Sequence, residues 1–332
     1  MLTGFANPAQ LVPAARPVSR SMEVVLGIIL PVFGTLGLGY VAARLGLFDE
    51  AANRGLSVFV FNFALPLMLF RAIAQTDLPE ALPWGYLLSY FIGAFSVFGL
   101  SMLASRLLFA RNLAEQGVLG LGASFSNTAM LGIPLVVTAF GPSAALPLFM
   151  LIAVHSLVML PPTTALIETA RGGNQSPARL VLGLVRSIAA TPIIWGLSIG
   201  LTLATLGVSL PGPVDAVAKS LGSAAAPCAL FALGASLTRY QAGGNLREPL
   251  MLVLLKTIVH PALVWLLATR VFEVPDLWAT VAVTLAALPT GVTPYLFAQR
   301  YQAGLATSAS AVFLSTMLSA VTLSALLLAL RT

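Results

Sequence analysis

The sequence predicts an all-α polytopic membrane protein: ten transmembrane helices in two inverted five-helix repeats. Three observations predict it. The 332 residues are 58% hydrophobic and only 8% charged, against about 45–50% and about 25% in ordinary soluble domains. Apolar stretches long enough to span a bilayer, about 20 residues each, follow one another along nearly the whole chain. Prolines recur at a fixed spacing of about half the chain. Water does not solvate a folded surface with so few charges, so lipid covers most of it.

Cutting at charged and Gly/Pro-rich breaks gives ten spans, at 23–44, 53–75, 83–108, 115–140, 143–168, 179–208, 213–238, 248–270, 277–299 and 304–330. No room is left for a folded soluble domain. The linker-like stretch Arg171-Gly-Gly-Asn-Gln-Ser-Pro177 lies near the middle. The domains read as 1–22, an N-terminal extension; 23–170, repeat 1; 171–177, a cytoplasmic linker; and 178–332, repeat 2.

The net charge of +6 comes from seventeen basic residues spread thinly, with no basic patch interleaved with aromatics, so no nucleic acid is expected as a partner. The excess reads as topology instead. Loops after odd-numbered spans carry Arg44, Arg54, Arg106, Arg111, Arg171, Arg179, Arg239, Arg247 and Arg300, with Arg186 just inside span 6. The opposite side carries Arg16, Arg20, Arg71, Arg270 and Arg331, with Lys219 inside span 7. The richer side is expected in the cytoplasm, which puts both termini outside. Residues 1–21 fit poorly, since they lack the pattern of a signal peptide and would carry Arg16 and Arg20 outward. A natural start at Met22 resolves this. The single Cys228 allows no internal disulfide and reads as packing.

Pro31 and Pro192 stand 161 residues apart, as do Pro66 and Pro227, and Pro134 and Pro294 stand 160 apart. That offset equals five spans. Five is odd, so the second copy enters from the opposite side, the inverted repeat of many secondary transporters.

In such folds the site lies at mid-membrane, where paired helices break. Span 4 reads Ser124-Phe-Ser-Asn127-Thr128-Ala-Met-Leu-Gly132-Ile-Pro134, and span 9 reads Leu288-Pro289-Thr290-Gly291-Val292-Thr293-Pro294-Tyr295. Proline removes a backbone donor, glycine permits a non-helical turn, and exposed backbone at that depth needs protein or a wet cavity beside it. Each break presents a half-helix N-terminus of about +0.5 charge. Two such ends meeting suit a carboxylate. The expected binding residues are Asn127, Thr128, Gly132, Pro134, Pro289, Thr290, Gly291, Thr293 and Pro294. No cofactor is expected and no metal site; the expected coupling ion is H+ or Na+.

These motifs resemble the two signatures of the auxin efflux carrier family. Ala64-Leu65-Pro66 and Leu26-Gly-Ile-Ile-Leu-Pro31 fit it too, and the similarity runs from about Met22 to the C-terminus. The resemblance implies that helices 4 and 9 cross. It further implies a scaffold of helices 1, 2, 6 and 7, often dimeric, and a moving transport domain of helices 3–5 and 8–10, in an elevator-type cycle. The family holds plant PIN-type auxin carriers and bacterial members, some of them malonate or malate transporters. The central loop of about ten residues fits a bacterial short-loop member, in the inner (plasma) membrane. Where plant carriers place an acid and a lysine near the start of helix 3, this chain has Leu82-Pro83-Trp84-Gly85-Tyr86.

Ionisable groups within a membrane are functional by default. Lys256 and His260 lie four apart in span 8 and share a helix face. Lys256 reads either as an anchor snorkelling to the cytoplasmic end or as a cation countering an anionic substrate. His260 and His155 read as packed neutral imidazoles or as proton carriers. Asn62, four before Pro66, satisfies a kinked backbone or lines the cavity. Arg71 and Asp77 read as interfacial. Small residues in Gly34-Thr-Leu-Gly37-Leu-Gly39 and Gly222-Ser-Ala-Ala-Ala226 read as close helix packing.

The expected function is secondary active transport of a small organic anion, a mono- or dicarboxylate of malonate, malate or auxin type. The alternative is a uniporter or channel for small organic solutes. An enzyme is not expected, since no metal cluster of acids and no full nucleophile motif is present in the sequence. The lipid bilayer and a second copy of the chain are the other expected partners.

Overall fold

The computed structural model describes residues 18–76, 83–172, 192–240 and 245–330, with side chains from Leu26 onward. Among these residues the chain is all-helical, with one isolated antiparallel bridge and no strand. The helices are α1 (Val18–Arg44), α2 (Glu50–Ala74), α3 (Trp84–Phe109), α4 (Leu113–Ser124), α5 (Thr128–Phe140), α6 (Pro142–Ala170), α7 (Pro192–Thr205), α8 (Gly212–Arg239), α9 (Arg247–Val271), α10 (Asp276–Ala287), α11 (Val292–Tyr301) and α12 (Leu305–Ala329). Seven of them are long and apolar enough to cross a membrane, namely α1 (from Leu26), α2, α3, α6, α8, α9 and α12. The chain is therefore a multi-pass membrane protein. The expected start of span 6, Arg179, Arg186 and Asp77 lie outside the described residues.

Local chemistry sets the ends. The Asp49 carboxylate accepts from the Ala52 N–H at 2.8 Å and starts α2. Asn112 and Glu115 form a reciprocal capping box at the start of α4. Proline sets the interior irregularities. Three wide turns, Val60–Ala64, Thr128–Gly132 and Leu255–Val259, each end two residues before a proline (Pro66, Pro134 and Pro261). A proline ring crowds the carbonyl four residues back and donates nothing to it. The turn widens instead: Leu65, Ile133 and His260 donate five residues back, to Val60, Thr128 and Leu255.

α1 packs across the second half of α8, and α7 across the second half of α2. Glycines permit both crossings. A Cβ on Gly234 would stand 1.8 Å from the Leu36 carbonyl oxygen, and one on Gly39 2.1 Å from that of Phe231. On the other pair, a Cβ on Gly196 would stand 2.4 Å from the Pro66 oxygen, and one on Gly200 2.7 Å from that of Phe70. Gly222 is likewise pressed on the Met68 backbone. Among the described residues Gly34 and Gly37 have nothing within 4 Å of such a Cβ, so of the glycines in that stretch Gly39 makes the close crossing.

Ion pairs of Arg71 and Arg111 sit near helix ends. Arg71 at the end of α2 pairs with Asp215 of α8 at 2.7 Å. Arg111, between α3 and α4, donates to both Glu248 oxygens at 3.0 and 2.8 Å and to Glu115 at 3.0 Å. Thr307 of α12 donates to the same Glu248 at 2.7 Å. The Glu248 hydrogen bond is the main cause holding the Arg111 guanidinium above its ordinary range. This cluster ties α4, α9 and α12 together at one end.

Candidate functional site

The chain leaves the helical conformation twice in the interior, between α4 and α5 and between α10 and α11. The two breaks meet. Ser126 and Thr290 form an antiparallel bridge; the Asn127 N–H donates to the Pro289 carbonyl at 3.0 Å and the Gly291 N–H to the Phe125 carbonyl at 2.9 Å. The Thr290 hydroxyl donates to the Gly122 carbonyl at 2.9 Å, and the Thr290 N–H reaches the Ser315 hydroxyl on α12 at 3.1 Å.

These bonds leave an asymmetry. A helix has orphan N–H groups at its start and orphan carbonyls at its end. At this crossing the tails of α4 and α10 are tied up. Gly122 and Phe125 receive Thr290 and Gly291, and the Ala286 carbonyl near the end of α10 receives the Lys256 ammonium. A cation on a helix C-terminus cancels its partial negative charge. The starts of α5 and α11 have no such side-chain caps, and their positive ends face a cavity.

That cavity measures about 330 Å³. Asn127, Thr128 and Met130 line it from α5 and its cap, Gly291, Val292 and Thr293 from α11 and its cap, and His155 and Ser156 from α6. Phe61 of α2 and Ile193 and Ile194 of α7 close the opposite wall. The Asn127 amide nitrogen is buried and has no hydrogen-bond partner among the described residues. No group of three or more metal-ligating side chains occurs among the described residues.

The expected residues divide into two sets. Asn127, Thr128, Gly291 and Thr293 line the cavity. Gly132, Pro134, Pro289, Thr290 and Pro294 are not among its lining. Gly132 packs where a Cβ would stand 2.7 Å from Leu288, and Thr290 and Pro289 hold the bridge. Pro134 and Pro294 are buried at the starts of the half-helices.

Of the other polar residues, His155 reaches the cavity wall. Its ring stacks on Phe125 with centroids 4.2 Å apart, and its Nε2 lies 3.5 Å from the Tyr90 hydroxyl. Tyr90 in turn donates to Ser126 at 3.0 Å. Lys256 is fully buried, and its Nζ also lies 3.4 Å from His260 Nδ1. It caps α10 and does not reach for a membrane surface. His260 packs behind Tyr90, ring centroids 5.3 Å apart. Asn62 donates to the Val58 carbonyl at 2.9 Å and borders a separate hollow with Pro66, Pro192 and Trp195.

Sequence reasoning missed Tyr90 and Ser315, and held Ser126 only as part of the span 4 motif. Tyr90 is one aromatic among many in an apolar helix and carries no signal. Ser315 had one: Ser308, Ser315 and Ser319 place hydroxyls at helical spacing on one face of α12, and all three are buried.

Two broken helices that meet beside a largely apolar cavity carrying a few polar groups, in a multi-pass helical bundle, are the arrangement of a membrane transport protein. The chain belongs to the membrane transport protein family that includes the auxin efflux carriers; the family model matches residues 24–327. It is similar to a Rhizobium meliloti protein named "Putative malonate transporter", 29% identical over 93% of this chain and 97% of that one. It is also similar to auxin efflux carrier component 8 of Arabidopsis thaliana, 26% identical over 83% of this chain and 89% of the relative. A third relative is the uncharacterized transporter YfdV of Escherichia coli, 25% identical over 65% and 69% of the two chains.

Proposed function

We propose that the protein is a secondary active transporter of a small organic anion, a mono- or dicarboxylate such as malonate, bound where the two breaks cross. One observation carries this reading. One carbonyl near the end of each of α4 and α10, Gly122 and Ala286, has a side-chain donor, whereas the starts of α5 and α11 have no side-chain cap and line the cavity together with the unpartnered Asn127 amide. Such a pocket favours negative charge without a resident cation in its wall. Lys256 acts from behind, as the donor that occupies the Ala286 carbonyl near the end of α10. The name of the Rhizobium meliloti relative supports malonate as the first substrate to test.

The architecture proposed for this activity is ten crossings in two inverted halves. The helix crossings support it, since the pair Gly39 on Phe231 recurs as Gly200 on Phe70 with both residues displaced by 161. In this reading α1, α2, α7 and α8 form a scaffold that pairs with a second copy, and α3–α6 with α9–α12 move as an elevator. Both termini lie outside a bacterial inner membrane. Uptake of radiolabelled malonate, malate and indole-3-acetate into proteoliposomes, under proton and sodium gradients, tests the function. Saturable uptake of a carboxylate supports it; its absence for all three under both gradients contradicts it.

A further inference from the structure

We propose that His155 is the proton-carrying group of this site, so that a carboxylate and a proton occupy the cavity together. The inference rests on the transporter reading above and names its coupling ion.

His155 is 1% exposed yet forms part of the cavity wall. Its ring is fixed flat on Phe125, at an interplanar angle of 12°. One ring nitrogen, Nε2, faces the Tyr90 hydroxyl at 3.5 Å; the other, Nδ1, has no partner among the described residues. The Tyr90 proton goes to Ser126 at 3.0 Å. In this proposal Nε2–H donates to the Tyr90 oxygen, which leaves the lone pair of the neutral imidazole on Nδ1. With that tautomer the cavity wall holds a base with no donor to it among the described residues.

The surroundings decide when that base is protonated. The ionisable groups facing it are Tyr90 of α3 and, behind Tyr90, His260 and Lys256 of α9. Phe125 covers one face, and Phe91 of α3 is a further ring neighbour. No Asp or Glu is among the residues lining the cavity. A carboxylate docked at the starts of α5 and α11 supplies the missing negative charge. Nδ1 then takes one proton from the aqueous side on which the anion entered, the N–H bond forming at the lone pair, and that bond breaks, returning the proton to water, when the anion leaves on the other side. His260 Nε2 is also without a partner, but His260 does not line the cavity, so an anion there gives it no contact.

Malonate binding to the purified full chain, measured by calorimetry near neutral pH in two buffers of different ionisation enthalpy, gives the protons taken up per anion. The wild type is expected to take up a substantial fraction of one proton. His155→Gln is expected to bind malonate more weakly and to take up none, and His260→Gln to keep the wild-type uptake of protons. Tyr90→Phe, which keeps the ring and removes the hydroxyl, is expected to shift the pH midpoint of binding, and it serves if His155→Gln does not fold. Malonate binding without proton uptake by the wild type, or proton uptake retained by His155→Gln, overturns the inference and leaves the transporter reading standing. Absence of binding and uptake for every carboxylate tested overturns both.

Discussion

Ser126 and Thr290 pair across the two interruptions of the bundle, 164 positions apart in sequence, as one rung of an antiparallel ladder. Two strands of such length do not exist in isolation; the rung holds because each break needs partners for its backbone. Buried N–H and C=O groups without partners cost about 1–3 kcal/mol each, and at this depth water is scarce. Each break supplies what the other lacks: Asn127 bonds Pro289, and Gly291 bonds Phe125.

Thr290 is a holding residue in this account, and its removal tests that. Thr290→Val keeps the shape and deletes the hydroxyl, leaving the Gly122 carbonyl unsatisfied. A loss of about 1–3 kcal/mol of stability follows, read as a lower Tm in detergent. Thr290→Ser keeps the donor and is expected to restore most of it. A Tm unchanged in Thr290→Val contradicts the role.

Lys256 caps α10 from within the bundle. Lys256→Met keeps the bulk and removes the donor on the Ala286 carbonyl, so the negative end of α10 again opposes the anion. A change of about 1–2 kcal/mol, the scale of a partly buried charge at a helix terminus, predicts carboxylate affinity lower by roughly 5–30-fold. Titration of the folded variant with malonate checks this. Unaltered affinity removes Lys256 from the account.

The tightest helix crossing makes a sharper contrast. Gly234→Ala forces a methyl into the Leu36 carbonyl, and overpacking of this kind costs about 1–3 kcal/mol or more. Gly34→Ala meets open space and replaces a poor helix former with the best one, so its Tm is expected to stay level or rise. Equal effects at both sites contradict the crossing geometry.

Glu248 is buried and receives Arg111 and Thr307 together. Glu248→Ala leaves the half-buried Arg111 without its main partner. The expected loss is about 1–3 kcal/mol, below the range for fully buried pairs because Arg111 keeps partial access to solvent. Denaturation in detergent of wild type, Glu248→Ala, Arg111→Ala and the double variant measures the coupling. Additive losses contradict it.

Much of this was legible in the sequence, for physical reasons. Pro134, Gly132, Pro289 and Gly291 mark the breaks because proline and glycine interrupt helices in any context. Asn127 and Thr128 mark the cavity because polar side chains inside an apolar span need a reason. The side-chain directions were not legible. Thr290 and Thr293 sit in one motif, yet Thr293 lines the cavity and Thr290 turns to Gly122. That depends on the bridge, a long-range contact. Lys256 left two readings open, because its partner Ala286 is thirty residues away and on another helix. The small-residue stretch at Gly34–Gly39 overstated packing for the same reason: which glycine faces α8 is decided by the crossing.

We place the carboxylate between the starts of α5 and α11 and the Asn127 amide. The most direct measurement is malonate affinity of purified wild type and Asn127→Ala, read by calorimetry with a matched thermal-shift titration. A lost hydrogen bond to a charged group is worth about 1.5–3 kcal/mol, so Asn127→Ala is predicted to bind roughly 10–100-fold more weakly at unchanged unliganded Tm. Equal binding by the two proteins contradicts the account.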